Sequence, residues 1–411
     1  MQIISAEMSR MSCKHSMSIS RTLVKFHRNM LKGFEFVENV IGDKTMKIGI
    51  VSKFGAPDGL CTRVNSVLTG LVNQGHEVHA LTQSKQVDGI PVDQVHRYNA
   101  MWLNEHYSID SFSSPRLIAQ VCKKHDIDVL HIQMNSGTTE VFLPFYKHAL
   151  PPIVVTFHLA YAAGRSLYTN VFAIAWKGSL FAAKKYDEII LVDPSQKSYF
   201  LDYNIPEAKL SVIRNGVDTV SFSPPIKKKD DGIIDFVYVG RLSLDKGTNI
   251  LLDAFSQYHR ENPDSKLTLI GDGIIKRRID DATTDDSITW IGTIDHAKVP
   301  AILQNMDAFV IPQNIGGLGL SVMEAMSCGL PVITTAIGET VRLLGQDEGI
   351  LVKPQNVPDV VDAMRVLGEN KKLRHSMGDK CRQKVEEQYS WKNQINQIEQ
   401  VYERAIARQK T

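Results

Sequence analysis

Short apolar runs alternate with helical patterns along most of the chain. Five such runs precede residue 216: KIGIVS, EVHALT, DVLHIQ, PIVVTF and EIILVD. Five more follow residue 232: IDFVYVG, KLTLIG, ITWIG, DAFVIP and PVITT. Short strands rich in Val and Ile that alternate with helices predict a parallel sheet covered on both faces. We therefore predict an α/β protein with two doubly wound domains.

The domain boundaries follow from the break in this alternation. The polar stretch SFSPPIKKKDDG has paired prolines and a charge run, which is typical of a linker, placed at residues 216–232. Residues 46–215 then form the first domain and residues 233–388 the second. Because such sheets bind ligands at the carboxyl ends of their strands, we expect a cleft between the domains. The last helical pattern, residues 389–411, is long enough to cross back to the first domain.

The first 45 residues differ from the rest of the chain. Apolar residues recur there at helical spacing with basic residues between them: Leu23, Phe26, Met30, Phe34, Val37 and Ile41, and Arg21, Lys25, Arg28 and Lys32. One interpretation is an amphipathic helix on an anionic membrane surface. The other is an extra helix docked on the core, or an extension upstream of a start at Met46. Glu35 and Glu38 dilute the basic face and favour the second interpretation.

Composition excludes several classes of protein. The net charge of +2 and pI of about 8.1 give no argument for a nucleic-acid partner. The five cysteines are scattered without metal-ligand spacing, which favours a reduced, cytoplasmic protein over a disulfide framework. No apolar run approaches the roughly 20 residues of a membrane span, and no secretory signal is evident.

In the first domain, the opening strand leads into FGAPDGLCTR, where Gly55 and Gly59 allow a tight turn toward a ligand. A plain strand-to-helix turn explains these glycines nearly as well. The G-x-G-x-x-G fingerprint of nicotinamide enzymes is missing, and no acidic residue ends the second strand. Asp126-Ile127-Asp128 matches a D-x-D metal motif formally. It lies at the amino end of its strand, so we interpret it as a turn.

In the second domain, candidate anion-binding residues follow the first strand. Gly240 and Arg241 end this strand, and Lys246 and Gly247 open the next helix. Arg offers a fork of donors, Lys a point charge, and a helix N-terminus favours phosphate. The alternative is a pair of solvated surface cations. A further tight turn at Gly271-Asp272-Gly273 is a weak signal by itself.

The stretch GGLGLSVMEAM follows the strand DAFVIP. Its glycines, Gly316, Gly317 and Gly319, leave backbone amides open beside a helix start, which suits a diphosphate or a sugar. Glu324, about one turn into the helix, can accept hydrogen bonds from two neighbouring hydroxyls, as on a ribose. The alternative is a solvated helix carboxylate, but Met323 and Met326 place Glu324 near the apolar stripe.

Taken in order, the motifs VIRNGVD, VGRLSLDKG, LIGDG, WIGTI and GGLGLSVMEAMSCGLPVITT resemble one known family. They are similar to the donor-binding domain of retaining glycosyltransferases of the GT-B fold, family 4 (glycosyl transferases group 1). GAPDGL, GHEV and TFH extend the resemblance into the first domain, so that it covers roughly residues 46–405. It implies two Rossmann-like domains, the first of which faces the acceptor.

The resemblance also implies roles for individual residues. Two cations would hold the nucleotide diphosphate, and Glu324 would bind the ribose hydroxyls. His158 in TFHLAY would lie beside the transferred sugar. The remaining binding residues are Arg241 and Lys246 for the diphosphate, Gly319, Leu320 and Ser321 for the phosphates through their amides, Thr293 and Ile294 for the base, Gly59 for donor phosphate or acceptor, and the loop glycines Gly240, Gly273, Gly316 and Gly317. The family's first glutamate is replaced by Gly316, and Gln313 and Asn314 are its candidate substitutes.

From the resemblance we expect a retaining hexosyltransferase of polysaccharide biosynthesis. It would use a UDP- or GDP-sugar, a glycan, lipid-linked or small-molecule acceptor, and no metal ion. We expect a cytoplasmic location, with peripheral contact with the inner membrane face as an alternative. Two other functions stay open: a sugar-nucleotide 2-epimerase, which needs acid and base carboxylates in the cleft, and a non-catalytic nucleotide-sugar-binding protein.

Overall fold

The computed structural model of the protein describes most of residues 45–410. The described segments are 45–54, 59–84, 87, 92, 94–102, 108–134, 138–158, 179–227, 231–273, 286–314, 319–345 and 347–410. The N-terminal amphipathic pattern and the glycines Gly55, Gly316 and Gly317 therefore lie outside the described residues.

Two parallel sheets form the centre of the structure. The first has the order β3-β2-β1-β6-β7-β8-β9 and the second the order β12-β11-β10-β13-β14-β15. The strands of the first sheet are β1 (Lys47–Val51), β2 (Glu77–Thr82), β3 (Gln94–Arg97), β6 (Val129–Met134), β7 (Ile153–Phe157), β8 (Glu188–Leu191) and β9 (Leu210–Val212). Those of the second are β10 (Ile234–Val239), β11 (Ser265–Ile270), β12 (Ile288–Gly292), β13 (Ala308–Ile311), β14 (Val332–Thr335) and β15 (Gly349–Val352). A separate antiparallel pair joins β4 (Ala100–Trp102) and β5 (Ser108–Asp110).

Both sheets have the doubly wound strand order. In each, the chain adds two strands on one side of the first strand and then returns to the other side, so its direction reverses between β1 and β6 and between β10 and β13. Ligands of such sheets bind in the crevice at this switch point, outside the carboxyl ends of the strands. The ten apolar runs of the sequence all form strands, as predicted.

Helices cover both faces of the sheets. They are α1 (Gly59–Asn73), α2 (Ser114–His125), α3 (Thr139–Phe142), α4 (Lys197–Asp202), α5 (Thr248–Glu261), α6 (Val299–Leu303), α7 (Leu320–Ser327), α8 (Thr340–Leu343), α9 (Val357–Glu369), α10 (Lys371–Gln388) and α11 (Trp391–Lys410). One face of α1 is buried through Val64, Val67, Leu68 and Leu71, and the helix ends just before Gly75, which has a φ of +87°. The second sheet has one continuous core, and the first has a core on each face.

The last helix belongs to the packing of the first domain. Its apolar residues Ile395, Ile398 and Val401 lie in the same core cluster as β1 and α1. A side chain at Gly70 of α1 would overlap Ile395, so these two helices touch closely. The helix therefore crosses back to the first domain, as the sequence predicts. No helix in the described part of the chain is long and apolar enough to span a membrane.

Asp126 and Asp128 form a turn rather than a metal site. Asp126 caps the end of α2 in the left-handed conformation, with a φ of +53°. The side chain of Asp128 accepts a 2.8 Å hydrogen bond from the backbone N–H of Lys47. Asp126 thus ends the helix, and Asp128 holds the amino ends of β1 and β6 together.

Candidate active site

The loops after β10 and β13 meet at the switch point of the second sheet. The backbone N–H of Asn314 donates to the carbonyl oxygen of Asp245 at 2.8 Å, and its side-chain amide donates to that of Leu244 at 2.9 Å. Gly247, between these residues and α5, has a φ of +69°. A Cβ there would overlap the carbonyl oxygen of Pro312. The glycine is thus required for the close approach of the two loops.

Lys246 lies in this contact, half-buried. Its Nζ donates to Oε1 of Gln313 at 3.3 Å, and no carboxylate among the described residues forms an ion pair with it. Burial lowers the pKa of Lys246, and the nearby charge of Asp245 opposes this shift. A desolvated ammonium group with a neutral partner is suited to bind an anion, because a negative ligand would offset the desolvation.

Two side chains beside Lys246 have unpartnered polar atoms. Gln313 is fully buried, and its Nε2 has no hydrogen-bond partner among the residues that the structure describes. Oδ1 of Asn314 is also buried, and no residue in the described part of the chain, which omits 315–318, is its partner. A buried donor or acceptor that stays unpaired costs about 1–3 kcal/mol. The loop after β13 therefore presents one donor and one acceptor that a ligand can satisfy.

Arg241 occupies a more open position than Lys246. Its side chain is 66% exposed and pairs with Asp245 at 2.8 Å. Such an exposed pair contributes little to stability, roughly 0.2–1 kcal/mol. Arg241 can therefore turn toward a diphosphate at small cost.

The predicted helix start after the glycine stretch is α7. It begins at Leu320, and Gly319 precedes it with extended backbone and no capping side chain. The amides of Leu320 and Ser321 lie in the first turn, where a helix has unpaired N–H groups and a positive dipole end. This end of α7 is thus suited to an anion.

Glu324 is buried on α7 with an exposure of 7%, so the interpretation of a solvated carboxylate is wrong. Its Oε1 lies 2.8 Å from Nε2 of His296, which sequence reasoning missed. The hydrogen bond to Glu324 raises the pKa of His296, helped by the charges of Asp295 and Asp218. Each carboxylate oxygen accepts two hydrogen bonds, so Glu324 keeps capacity for hydroxyl groups. The only sequence signal for His296 is its place, two residues after Ile294.

The predicted base-binding and turn residues lie on the neighbouring strand ends. The N–H of Leu242 donates to the carbonyl of Asp272 at 2.9 Å, and a Cβ at Gly273 would overlap the carbonyl of Leu242. The N–H of Gly240 donates to the carbonyl oxygen of Ile270 at the end of β11. Thr293 is exposed after β12, and Ile294 packs against the second core. A close approach between loops thus explains Gly273 without a ligand.

His158 directly follows β7 in the first domain and is held by a buried network. Its Nε2 lies 2.8 Å from Oε1 of Gln133, so this nitrogen carries the proton. Behind Gln133, His131 contacts Tyr402 of α11 at 2.6 Å and Thr156 at 2.7 Å. Burial holds the pKa of His158 well below its ordinary value, and it lowers that of His131 to about 3. His158 is neutral, with Nδ1 as an acceptor.

Arg63 is a further buried cation that sequence reasoning did not single out. It lies one turn into α1, which begins at Gly59, and it is 2% exposed. Its Nη1 donates to Oδ1 of Asn215, and its guanidinium lies 5.7 Å from the ring centroid of Trp391. Its Nε and Nη2 have no partner within the described segments, and burial lowers the pKa of Arg63 to about 10. Arg63 joins the first domain to the segments that connect the domains.

A cavity of about 1030 Å³ lies elsewhere, lined by Arg116, Lys123, Asp128, Tyr146 and Ile406 among others. It is next to the turn before β6, at the amino end of the first sheet. The polar groups described above are at the carboxyl ends of the strands. The size of this cavity therefore does not make it the active site.

Two family models match adjoining segments of the chain. Residues 57–221 match "Glycosyltransferase Family 4" and residues 221–384 match "Glycosyl transferases group 1". Glycogen synthase of Mycobacterium tuberculosis is 26% identical over 265 residues, which are 61% of this chain and 63% of that protein. The chain thus matches less than two thirds of the length of this relative.

Solved structures share the fold over nearly their whole length. Sucrose-phosphate synthase of Thermosynechococcus elongatus has a TM-score of 0.70 and 19% identity, and the match covers 88% of this chain and 99% of that one. HepE of Anabaena in complex with UDP and glucose has a TM-score of 0.67 and 17% identity, and the match covers 86% of this chain and 98% of that one. Because the family models together cover most of the chain and the two doubly wound domains match these structures, the chain belongs to the group 1 glycosyltransferases and has the GT-B fold.

Proposed function

We propose that the protein transfers a hexosyl unit from a nucleoside-diphosphate sugar, with UDP or GDP as the nucleotide, to a glycan, lipid-linked or small-molecule acceptor. The configuration at the anomeric carbon is retained. The observation that carries this proposal is the contact of Lys246 with Gln313, where a desolvated cation lies beside two buried polar atoms that no described residue pairs with. The contact lies at the switch point of the second sheet, where such folds bind nucleotides.

The donor would lie along the carboxyl edge of the second sheet. The first turn of α7 and Lys246 bind the diphosphate, and Arg241 leaves Asp245 to join them. Glu324 accepts hydrogen bonds from the ribose, and its contact with His296 orients the carboxylate. Thr293 and Ile294 border the base. HepE was solved with UDP and glucose, which supports a nucleotide sugar as the ligand class.

In the transfer, the bond between the anomeric carbon and the β-phosphate oxygen breaks. The acceptor hydroxyl forms the new bond from the same face, and its proton passes to the departing phosphate oxygen. Negative charge grows on the diphosphate, and fixed cations and amides that meet this charge lower the barrier. Lys246 and Arg241 supply these cations and the first turn of α7 supplies the amides, so the mechanism needs no metal ion.

His158 would position the sugar rather than donate a proton. Its pKa is depressed by burial, so it is uncharged at neutral pH. The proton on Nε2 is engaged by Gln133, which leaves Nδ1 to accept a hydrogen bond from a sugar hydroxyl. The network through His131 to Tyr402 holds this orientation with α11.

The replacement of the first glutamate by Gly316 changes the sugar subsite. Oδ1 of Asn314 can accept from a sugar hydroxyl as a glutamate would, although without charge. Nε2 of Gln313 adds a donor, which requires an acceptor on the ligand. The subsite is therefore less negative than in relatives with the glutamate, which favours sugars that carry an acceptor group such as a carboxylate.

Exposed aromatic side chains on the first domain favour a lipid-linked acceptor. Phe142, Phe145 and Phe181 are 48%, 47% and 63% exposed. The ammonium of Lys185 lies 5.0 Å from the ring centroid of Phe145. Aromatic rings beside basic groups are typical of surfaces that contact anionic membranes.

An epimerase is not favoured. It would need a free acid and base in the cleft, whereas Glu324 is paired with His296 and Asp245 with Arg241. A non-catalytic binder would share the donor site, so only turnover distinguishes it from the transferase.

The first test is a thermal-shift screen of nucleotide sugars, because a ligand that binds only the native state raises the melting temperature. A sugar nucleotide that stabilises the protein is then incubated with acceptors, and the released nucleoside diphosphate is measured. Nuclear magnetic resonance of the product gives its anomeric configuration. Stabilisation without release would indicate a binder, and inversion would overturn the retaining mechanism.

A further inference from the structure

Three histidines of the first domain lie together outside the donor site. His79 is on β2, His96 on β3, and His125 is the last residue of α2. Their ring centroids are 5.4 Å apart for His79 and His96, 4.8 Å for His79 and His125, and 4.9 Å for His96 and His125. His125 ends α2 just before the turn at the amino end of β6. The cluster is therefore at the opposite end of the sheet from His158.

The ring nitrogens are close enough to share one ion. Nδ1 of His79 lies 3.1 Å from Nε2 of His96, and one nitrogen of each histidine lies within 4.8 Å of the others. A tetrahedral ion with metal–nitrogen distances of about 2.0–2.1 Å places its ligand atoms roughly 3.3 Å apart. The first pair is near this spacing. His125 has to approach by at most roughly 1.5 Å, which rotation of its partly exposed side chain can supply.

Glu77 fixes the tautomer of His79. Its Oε1 lies 2.8 Å from Nε2 of His79, so this nitrogen carries the proton. Nδ1 of His79 then has a lone pair, which points at His96. A carboxylate that accepts from one nitrogen of a histidine while the other binds metal is a common outer partner in metal sites.

An imidazole nitrogen binds a metal ion through its lone pair, so the other contacts of the three rings decide whether the site can form. Among the described residues no hydrogen bond engages the ring of His125. The rings of His79 and His96 are parallel to within 8°, as in an N–H···N hydrogen bond, and an ion would replace that shared proton.

We propose that His79, His96 and His125 bind one divalent transition-metal ion with Zn²⁺ as its representative. Imidazole ligands suit Zn²⁺, Cu²⁺ and Ni²⁺, whereas Mg²⁺ and Ca²⁺ prefer oxygen. The ion joins β2, the edge strand β3 and the end of α2, and its role is structural. It is separate from the transfer reaction, which uses the other end of the sheets.

The test uses chelator-treated protein without a polyhistidine tag, titrated with Zn²⁺. Wild type is expected to bind one ion and to melt at a higher temperature with it. His96→Gln and His125→Gln should each bind at least about tenfold more weakly and lose the shift in melting temperature. Glu77→Gln should weaken binding by roughly 10–100-fold, as loss of an outer partner does. His148→Gln, an exposed histidine of the same domain, is the matched control and should behave as wild type.

A second readout does not depend on the variants. Co²⁺ bound by nitrogen ligands in tetrahedral geometry has intense visible bands, whereas hydrated Co²⁺ has weak ones. Wild type should give the intense bands, and Zn²⁺ should remove them. If wild type gives only the spectrum of hydrated Co²⁺, or if both histidine variants bind Zn²⁺ as wild type does, the cluster is a hydrogen-bonded one and the proposal is wrong.

Discussion

Lys246→Met tests the anion site most sharply. The substitution removes the charge and keeps most of the stem, so the loops after β10 and β13 should stay packed. A unit charge about 4 Å from a phosphate oxygen interacts by about 4 kcal/mol at an effective dielectric constant near 20. Removing single donors from oxyanion sites costs about 2.7–4 kcal/mol in other enzymes. We therefore expect kcat/KM to fall by roughly 10²–10³-fold.

The stability of the protein should change much less than its activity. Lys246 donates one hydrogen bond, at 3.3 Å to a neutral partner, and burial already lowers its pKa. Loss of the hydrogen bond and relief of the desolvation offset each other, so the free energy of unfolding should change by no more than about 1 kcal/mol. Lys298→Met, at an exposed lysine of the same domain, is the control.

The assay compares two ligands. Isothermal titration should show weaker binding of the nucleoside diphosphate to Lys246→Met and unchanged binding of the nucleoside alone. Equal loss for both ligands would mean that the substitution disturbs the whole site. Unchanged affinity and turnover would show that Lys246 does not contact the donor, which would refute the reasoning.

Further predictions concern the rest of the site. Glu324→Gln should lower nucleotide affinity at least about tenfold, since a charge-assisted hydrogen bond is worth about 1.5–3 kcal/mol. Removal of the 2′-hydroxyl from the nucleotide should then weaken binding to the variant less than it weakens binding to wild type. Equal losses for both proteins would show that Glu324 does not contact that hydroxyl. The raised pKa of His296 means that its ion pair with Glu324 stabilises the fold fully below about pH 6.5 and is lost as the pH rises through the raised pKa. His296→Ala should therefore melt below wild type in acid, with a difference that shrinks toward alkaline pH; a constant difference would contradict this. Gln313→Leu removes the unpaired donor and should weaken binding of the sugar nucleotide more than that of the nucleoside diphosphate, and the reverse order would place Gln313 at the phosphates. EDTA should leave the initial rate unchanged below the melting temperature, and loss restored by Mg²⁺ would overturn the metal-free mechanism.

The sequence predicted the strands because burial on both faces gives continuous apolar runs. The doubly wound order could be expected from the alternation of strands and helices, and α11 from its length. The edge strand β3 was not predicted, because its sequence QVHR is mostly polar. As an edge strand, it pairs with β2 alone. Short edge strands carry too few buried residues for a periodic signal.

In the site, the sequence located the loops but not the partners within them. Lys246 and Glu324 were found because each follows a strand end and a glycine. Their contacts with Gln313 and His296 join residues 67 and 28 positions apart, which no local pattern encodes. Arg63 was missed for a similar reason, since a lone arginine on an amphipathic helix is usually solvated and only the fold buries it against Asn215.

The most direct test of the central claim measures the release of nucleoside diphosphate by wild type and Lys246→Met from the same sugar nucleotide, with the sugar itself followed by nuclear magnetic resonance. Wild type should release the diphosphate continuously and transfer the sugar with retained configuration, while the variant should be about 10²–10³-fold slower. Binding without release by wild type, equal release by both proteins, or interconversion of the bound sugar without release would contradict the account.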